Sequence, residues 1–394
     1  MKQDRKEKGN FPILRFPEFQ GEWEVKKLGE ICKFVRGPFG SALKKEFFVK
    51  DGYAVYEQSH AIHNNFNSFR YYISEEKFNS LRRFSVEPKD IIMSCSGTMG
   101  KFAIIPEESK KGVINQALLK LTPKENFNHK FIKIALELPR IQNKLLSQSA
   151  GGAIKNVVGI PQLKGIGLYI PKPIEQNKIS TFFSLLDQRI QTQIKIIEDL
   201  RLLKSAVSKN IFLRQCRFND DCGEHYSDWE NMRLGEVLVS VATKRFQIKS
   251  SEFNTIGLYK VIDQGQELIA GYSDKEECVF LYVPIIIFGD HTTIVKYIDF
   301  PFIVGADGTK LLKNRNNDNL KYLYYNLQHN NVQQEGYKRH FTTLSEVYLQ
   351  IPCLEEQNKI VNFLSSIDAK IDTEKQFLNK LENQKQYLLQ QMFI

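Results

Sequence analysis

The sequence predicts an α+β protein in which two mixed α/β inserts are joined by two long helices forming an antiparallel coiled coil, with an internal pseudo-two-fold repeat. Three observations predict it: a short opening module that occurs twice, a longer helix-opening motif that also occurs twice, and two apolar stripes of matching design.

The opening module runs Trp23-Glu-Val-Lys-Lys-Leu28-Gly29-Glu30 and returns 206 residues later as Trp229-Glu-Asn-Met-Arg-Leu234-Gly235-Glu236. The helix-opening motif is Ile170-Pro171, Glu175-Gln176-Asn177-Lys178-Ile179 and Phe182. It recurs 181 residues later as Ile351-Pro352, Glu356-Gln357-Asn358-Lys359-Ile360 and Phe363. The ends of each half match while the interiors differ in length and sequence, so each half reads as a fixed frame around a variable insert.

Each Ile-Pro stops a strand, and the glutamate that follows complements the positive end of a helix. The helices read from about 175 to 213 and from about 356 to 393. Steps of three and four give the seam Phe183, Leu186, Ile190, Gln193, Ile197, Leu200, Lys204, Val207, Ile211. The second seam is Leu364, Ile367, Ile371, Glu374, Leu378, Leu381, Lys385, Leu388, Met392. The polar breaks match, Gln193 with Glu374 and Lys204 with Lys385. A period near 3.5 with isolated polar seam residues is the pattern of a register-pinned coiled coil. Two independent amphipathic helices lying on globular cores are the alternative, and the duplication weighs against it. A rod of about 38 residues is about 57 Å long.

The first insert, 31 to 169, carries strand patterns at Tyr53–Tyr56, Asp90–Ser94, Phe102–Ile105 and Ala117–Leu121, then a helix at Lys130–Leu146. The second, 237 to 350, carries strands at Tyr259–Ile262, Val283–Phe288, Thr293–Tyr297 and Ala306–Lys313, then a helix at Leu320–Gln328.

With 394 residues, 42% hydrophobic and 12% aromatic, the chain can fill real cores, and its net charge of +10 suits a polyanion binder. No run is long and apolar enough to span a membrane, and the charged start lacks a signal core, so a cytoplasmic protein without membrane contact is expected. Six cysteines without CxxC pairing read as reduced thiols.

Side chains able to meet phosphates or base edges cluster at polar turns. In the first insert these are Arg36, Ser41, Lys44, Lys45, Gln58, Ser59, His60, Asn64, Asn65, Arg70, Lys155 and Asn156; in the second, Lys244, Arg245, His291, Thr292, Tyr337, Lys338, Arg339 and His340. For any one of them a solvated turn is the plainer reading, and the flanking Phe66 and Phe69 read as core. Asp290-His291 is not read as a catalytic pair, because neighbouring strand side chains point to opposite faces. No P-loop, dinucleotide fingerprint or Asp/Asn-Pro-Pro-Tyr motif is present, so ATP hydrolysis and methyl transfer have no machinery in this chain.

The order Trp…Leu-Gly-Glu, insert, Ile-Pro…Glu-Gln-x-x-Ile helix, and its near repeat resemble the specificity subunits of type I restriction-modification systems, over essentially the whole chain. The resemblance implies a non-catalytic protein in which each insert is a target recognition domain reading half of a bipartite DNA sequence. It implies domains at 1–169 and 214–350, with spacer helices at 170–213 and 351–394. Partners implied are double-stranded DNA, two methyltransferase subunits and restriction/translocase subunits, with S-adenosylmethionine, ATP and Mg acting in those subunits. The link Arg214–His225, with Cys216, Cys222 and His225, departs from the pattern; its spacing does not match a zinc knuckle, so no metal is expected. A coiled-coil interaction scaffold and a stand-alone enzyme are the competing readings.

Overall fold

The computed structural model describes residues 9–147, 159–305, 307–336 and 338–394. The chain divides into two compact units, 1–192 with 378–394, and 193–377. Both long helices, Pro173–Phe212 and Leu354–Met392, pass through both units, so each unit holds the first half of one helix and the second half of the other.

In the first unit a two-stranded ribbon, Glu24–Lys27 against Gly167–Ile170, ties the two ends of the insert together, with Glu24 opposite Ile170. The turn of helix at Leu28–Ile31 buries Leu28 and Ile31, and Glu30 accepts from the Lys27 N–H at 2.9 Å. Beyond it lies an antiparallel sheet ordered Cys32–Arg36, Leu118–Pro123, Ile91–Ser94, Phe102–Ile104. A second sheet is ordered Phe48–Val49, Tyr72–Ile73, Tyr53–Tyr56, Gly112–Ile114, its last pair parallel. Ile91–Ser94 is buried on both faces, as its unbroken apolar run requires.

The second unit repeats this plan. Its ribbon is Glu230–Arg233 against Tyr348–Ile351, followed by the turn Leu234–Val237, where Glu236 accepts from the Arg233 N–H at 2.8 Å. Its first sheet is ordered Leu238–Val241, Thr309–Asn314, Ile285–Gly289, Val295–Ile298. The other sheet is ordered Gln247–Ile248, Phe302–Gly305, Tyr259–Ile262, Gly271–Ser273, and Val279–Phe280 also pairs with Phe302–Gly305.

Two expected elements differ. The helix expected at Lys130–Leu146 is two, His129–Glu137 and Pro139–Ser147, because Pro139 cannot continue a helix but suits the first position of the next. The strand expected at Ala306–Lys313 begins at Thr309, after a turn at Asp307-Gly308; Ala306 itself lies outside the described residues. Gly308 has φ +85°, and a Cβ there would stand 2.8 Å from both the Gln264 amide and the His291 ring.

The long helices pair antiparallel inside each unit. In the second unit Gln193 Nε2 donates to Glu374 Oε2 at 2.5 Å, and Lys204 meets Asp368 at 2.6 Å. In the first, Lys385 meets Asp187 at 2.5 Å. The polar breaks of the seam are thus spent on one another or on a facing aspartate, and none of the fourteen apolar seam residues is exposed. The helix ends are core residues. Phe393 packs in the first core on Phe131, Trp23 and Phe183 at 5.3 to 6.1 Å, and Phe212 packs in the second on Tyr322 at 5.9 Å. Among the described residues no helix is long and apolar enough to cross a membrane.

Candidate nucleic-acid interface

The frame that carries the candidate surfaces is held by one duplicated clamp, and every polar residue of the Glu-Gln-Asn-Lys motif has a partner in it. Glu175 is buried and accepts from Arg15 Nε at 2.7 Å, Arg15 Nη2 at 2.8 Å and the Trp23 indole at 3.2 Å. Glu356 is buried likewise and accepts from Arg217 Nε at 3.2 Å, Arg217 Nη2 at 2.8 Å and the Trp229 indole at 2.8 Å. The hydrogen-bonded carboxylate pushes each guanidinium further above its ordinary value.

Gln176 accepts from the Asn128 N–H at 2.9 Å and donates to the Pro171 carbonyl at 2.8 Å; Gln357 does the same with Asn319 and Pro352 at 2.8 and 2.9 Å. Asn177 and Asn358 accept from the side chains of Asn128 and Asn319, which also cap the helices His129–Glu137 and Leu320–His329. Lys178 pairs with Glu18 and Lys359 with Asp221. The link around Arg217-Phe218 is therefore the second copy of Arg15-Phe16. Asp220 Oδ1 accepts from the N–H groups of Cys222 and Glu224 there. Among the described residues no cluster of three metal-ligating side chains occurs. Burial pushes the Cys32 thiol up to about 12 and Cys95 to about 11, so neither is a thiolate near neutrality.

Of the candidate DNA-contacting residues, Ser41, Lys44, Lys45, Ser59, Asn64, Asn65, Arg70, Lys244, Arg245, Lys338 and Arg339 are exposed, and Arg36, Gln58, His291 and Thr292 are half-buried. Lys155, Asn156 and Tyr337 lie outside the described residues.

Two expected readers are structural. His60 is buried; its Nδ1 accepts from the Glu57 N–H at 2.9 Å and its Nε2 lies 3.2 Å from the Ser68 carbonyl, while the ring stacks on Phe69 at 4.8 Å. His340 is also buried, with Nε2 accepting from the Glu335 N–H at 3.1 Å and Nδ1 at 3.0 Å from the Asp290 carbonyl. The Thr292 hydroxyl donates to the Gln264 carbonyl at 2.6 Å. Asp290-His291 sits in a turn after the strand, not within one, so strand alternation does not set where the two side chains point. The Asp290 carboxylate instead accepts from the N–H groups of His340 and Phe341 at 3.0 and 2.8 Å.

The polar segment at 58–70 also splits. Gln58, Ser59 and Arg70 line one cleft with Asn115, whereas Asn64 lines a groove with Phe66, Lys130, Asp187 and Lys385. Sequence reading missed Asn115 and Gln264. A third repeat could have found the latter, since Tyr53-Ala-Val-Tyr-Glu-Gln58 returns as Tyr259-Lys-Val-Ile-Asp-Gln264 at the 206-residue offset of the tryptophans.

Comparison with known proteins gives a consistent answer. The family described as Type I restriction modification DNA specificity domain matches residues 20–201 and 226–383. The MjaVIII specificity subunit of Methanocaldococcus jannaschii is 23% identical, covering 95% of this chain and 92% of its own. The EcoR124I/EcoR124II specificity subunit of Escherichia coli is 25% identical over 36% of this chain and 37% of its own. The crystal structure of a type I S subunit from M. genitalium shares the fold with a TM-score of 0.58, at 17% identity, covering 98% of this chain and 99% of that one. With two matched copies spanning most of its length, this chain belongs to the type I restriction-modification DNA specificity family and is the non-catalytic specificity subunit of such a system.

Proposed function

We propose that the inserts within 1–169 and 214–350 each read one half of a bipartite target in double-stranded DNA, while the helices 170–213 and 351–394 set the spacing between half-sites. The same helix pair docks two methyltransferase (modification) subunits, and restriction/translocase subunits join the full complex in the cytoplasm. In this family the cofactors are carried by the partner subunits; S-adenosylmethionine, ATP and Mg act there.

The observation that carries the reading is one clamp, built twice in the chain, around inserts of different sequence. A frame that repeats residue by residue supports a common docking geometry, and interiors that diverge support two different half-sites. The exposed basic turns at Lys44-Lys45, Lys244-Arg245 and Lys338-Arg339 supply phosphate contacts, with the chain's net charge of +10 favouring association.

Titration of the purified chain with duplex DNA over a range of salt tests this. Log affinity falls with log salt at about −0.9 per phosphate contact, and Lys244→Ala with Arg245→Ala flattens that slope by about two without altering sequence preference. A protein whose weak binding ignores salt is an interaction scaffold instead. A methylation-site map of a strain whose long helix carries four extra residues tests the ruler: about 6 Å is close to two base-pair steps, so the gap changes and both half-sites stay.

A further inference from the structure

In both units a parallel strand pair ends in an acidic residue followed by a glutamine: Tyr53–Tyr56 leads to Glu57-Gln58 and Tyr259–Ile262 to Asp263-Gln264. The two glutamines stand at one place in the fold and are used differently. Gln264 is locked: its Oε1 accepts from the His291 N–H at 3.1 Å and its Nε2 donates to the Asp307 carbonyl at 2.9 Å. Gln58 Oε1 is buried with no hydrogen-bond partner. Buried acceptors are almost always satisfied, and one left orphaned costs free energy until something pairs with it.

Gln58 borders a cleft of about 450 Å³ whose walls include Glu57, Ser59, Ser68, Arg70 and Asn115. The wall is braced by hydrogen bonds among its own residues, His60 included. His60 ties the Glu57 N–H to the Ser68 carbonyl, and the Asn115 side-chain oxygen is spent on the Ala117 N–H at 3.0 Å, so that the donor end of its amide is what remains to offer. Rotation of the Gln58 amide into this cleft breaks no hydrogen bond of its Oε1, whereas the same rotation of Gln264 breaks two. An amide with a carbonyl acceptor and an NH2 donor side by side matches the N6 and N7 edge of adenine in the major groove.

Resting on the DNA-reading function above, we propose that Gln58 is a specificity-determining residue of the first unit, turning into its cleft to read one adenine, while Gln264 is a positioning residue that holds the turns of the second.

The test is selection of bound duplexes from a library with a randomised centre by the full chain, comparing wild type with Gln58→Ala, Gln58→Met and Gln58→Glu, with salt slopes and melting temperatures measured alongside. Wild type selects a gapped motif. At one adenine of one half-site, Gln58→Ala and Gln58→Met lose about 10- to 100-fold of the preference, with the rest of the motif and the salt slope kept. Gln58→Glu, an acceptor only, moves that position from adenine to cytosine. Because the orphaned oxygen contributes nothing to folding, Gln58→Met melts no lower than wild type; a marked drop overturns the proposal. An unchanged motif in the variants, or a lost position that is not adenine, overturns it and leaves DNA reading intact. A wild-type pool with no motif overturns DNA reading itself.

Discussion

Arg217 and Glu356, 139 residues apart in the chain, form a two-pronged ion pair whose carboxylate is fully buried and also accepts from the Trp229 indole. Removing the buried carboxylate leaves a half-buried guanidinium with backbone carbonyls alone as acceptors, Tyr226 and Ser227 for Arg217 and Gly21 for Arg15, and no buried countercharge in the clamp. Glu356→Gln is expected to cost about 3–5 kcal/mol in urea denaturation, and Glu175→Gln a similar amount, because Arg15 and Trp23 repeat the geometry. A loss under about 1 kcal/mol in either variant refutes the clamp.

Phe393 contributes an aromatic ring to a core made chiefly by residues far earlier in the chain. Phe393→Ala opens a cavity among Trp23, Phe131 and Phe183, for which about 3–5 kcal/mol is expected. Limited proteolysis of the variant is expected to cut first within 9–192 and spare 214–350; the reverse order contradicts the assignment of Phe393 to the first core.

Asp187–Lys385 and Asp368–Lys204 are the same pair in the two copies of the repeat. Reversing one charge, Lys385→Asp, places two carboxylates together and costs about 0.5–1 kcal/mol, and adding Asp187→Lys recovers most of it. A double mutant no better than the single shows that the two side chains do not interact in solution.

His329 stacks on Phe212 at 5.4 Å, and burial, reinforced by nearby Lys209, pushes its imidazole below the ordinary value. His129 is lowered in the same direction, first by burial and then by Lys130 and Lys89. With the folded value below the unfolded one, the unfolded chain binds more protons as pH falls through the mid-6 range. Stability is complete above that range and declines until both forms are protonated. Urea midpoints at about pH 7.5 and about pH 5.5 therefore differ less for His329→Gln than for wild type; an unchanged difference removes His329 from the account.

The frame was legible because it is written twice. A repeated Trp and a repeated Glu-Gln-Asn-Lys-Ile each mark side chains with fixed partners, and polar seam residues at matching steps mark the helix pair. Arg15 and Arg217 were not legible, since a two-residue Arg-Phe repeat is too short to stand out until both guanidinium groups are seen on glutamates. In the inserts, strand positions followed their apolar runs, but the uses of polar residues did not. His60 and His340 look like surface readers in sequence and are buried braces, because a histidine's two ring nitrogens serve backbone groups as readily as bases. Gln58 and Gln264 are identical in type and position, and the backbone at His291 and Asp307 ties down only the second.

The first unit is discontinuous, drawing on 378–394, and the second is not. During synthesis the ribosome therefore releases every residue of 193–377 before Phe393 can reach Trp23. At about 5–20 residues per second, the lobe translated first keeps an open core for the whole time that 193–377 is made, and the lobe translated second, whose last residue is 377, is complete before it. Quality control acting on nascent chains has its longest access to the amino-terminal lobe, the reverse of the usual vectorial order.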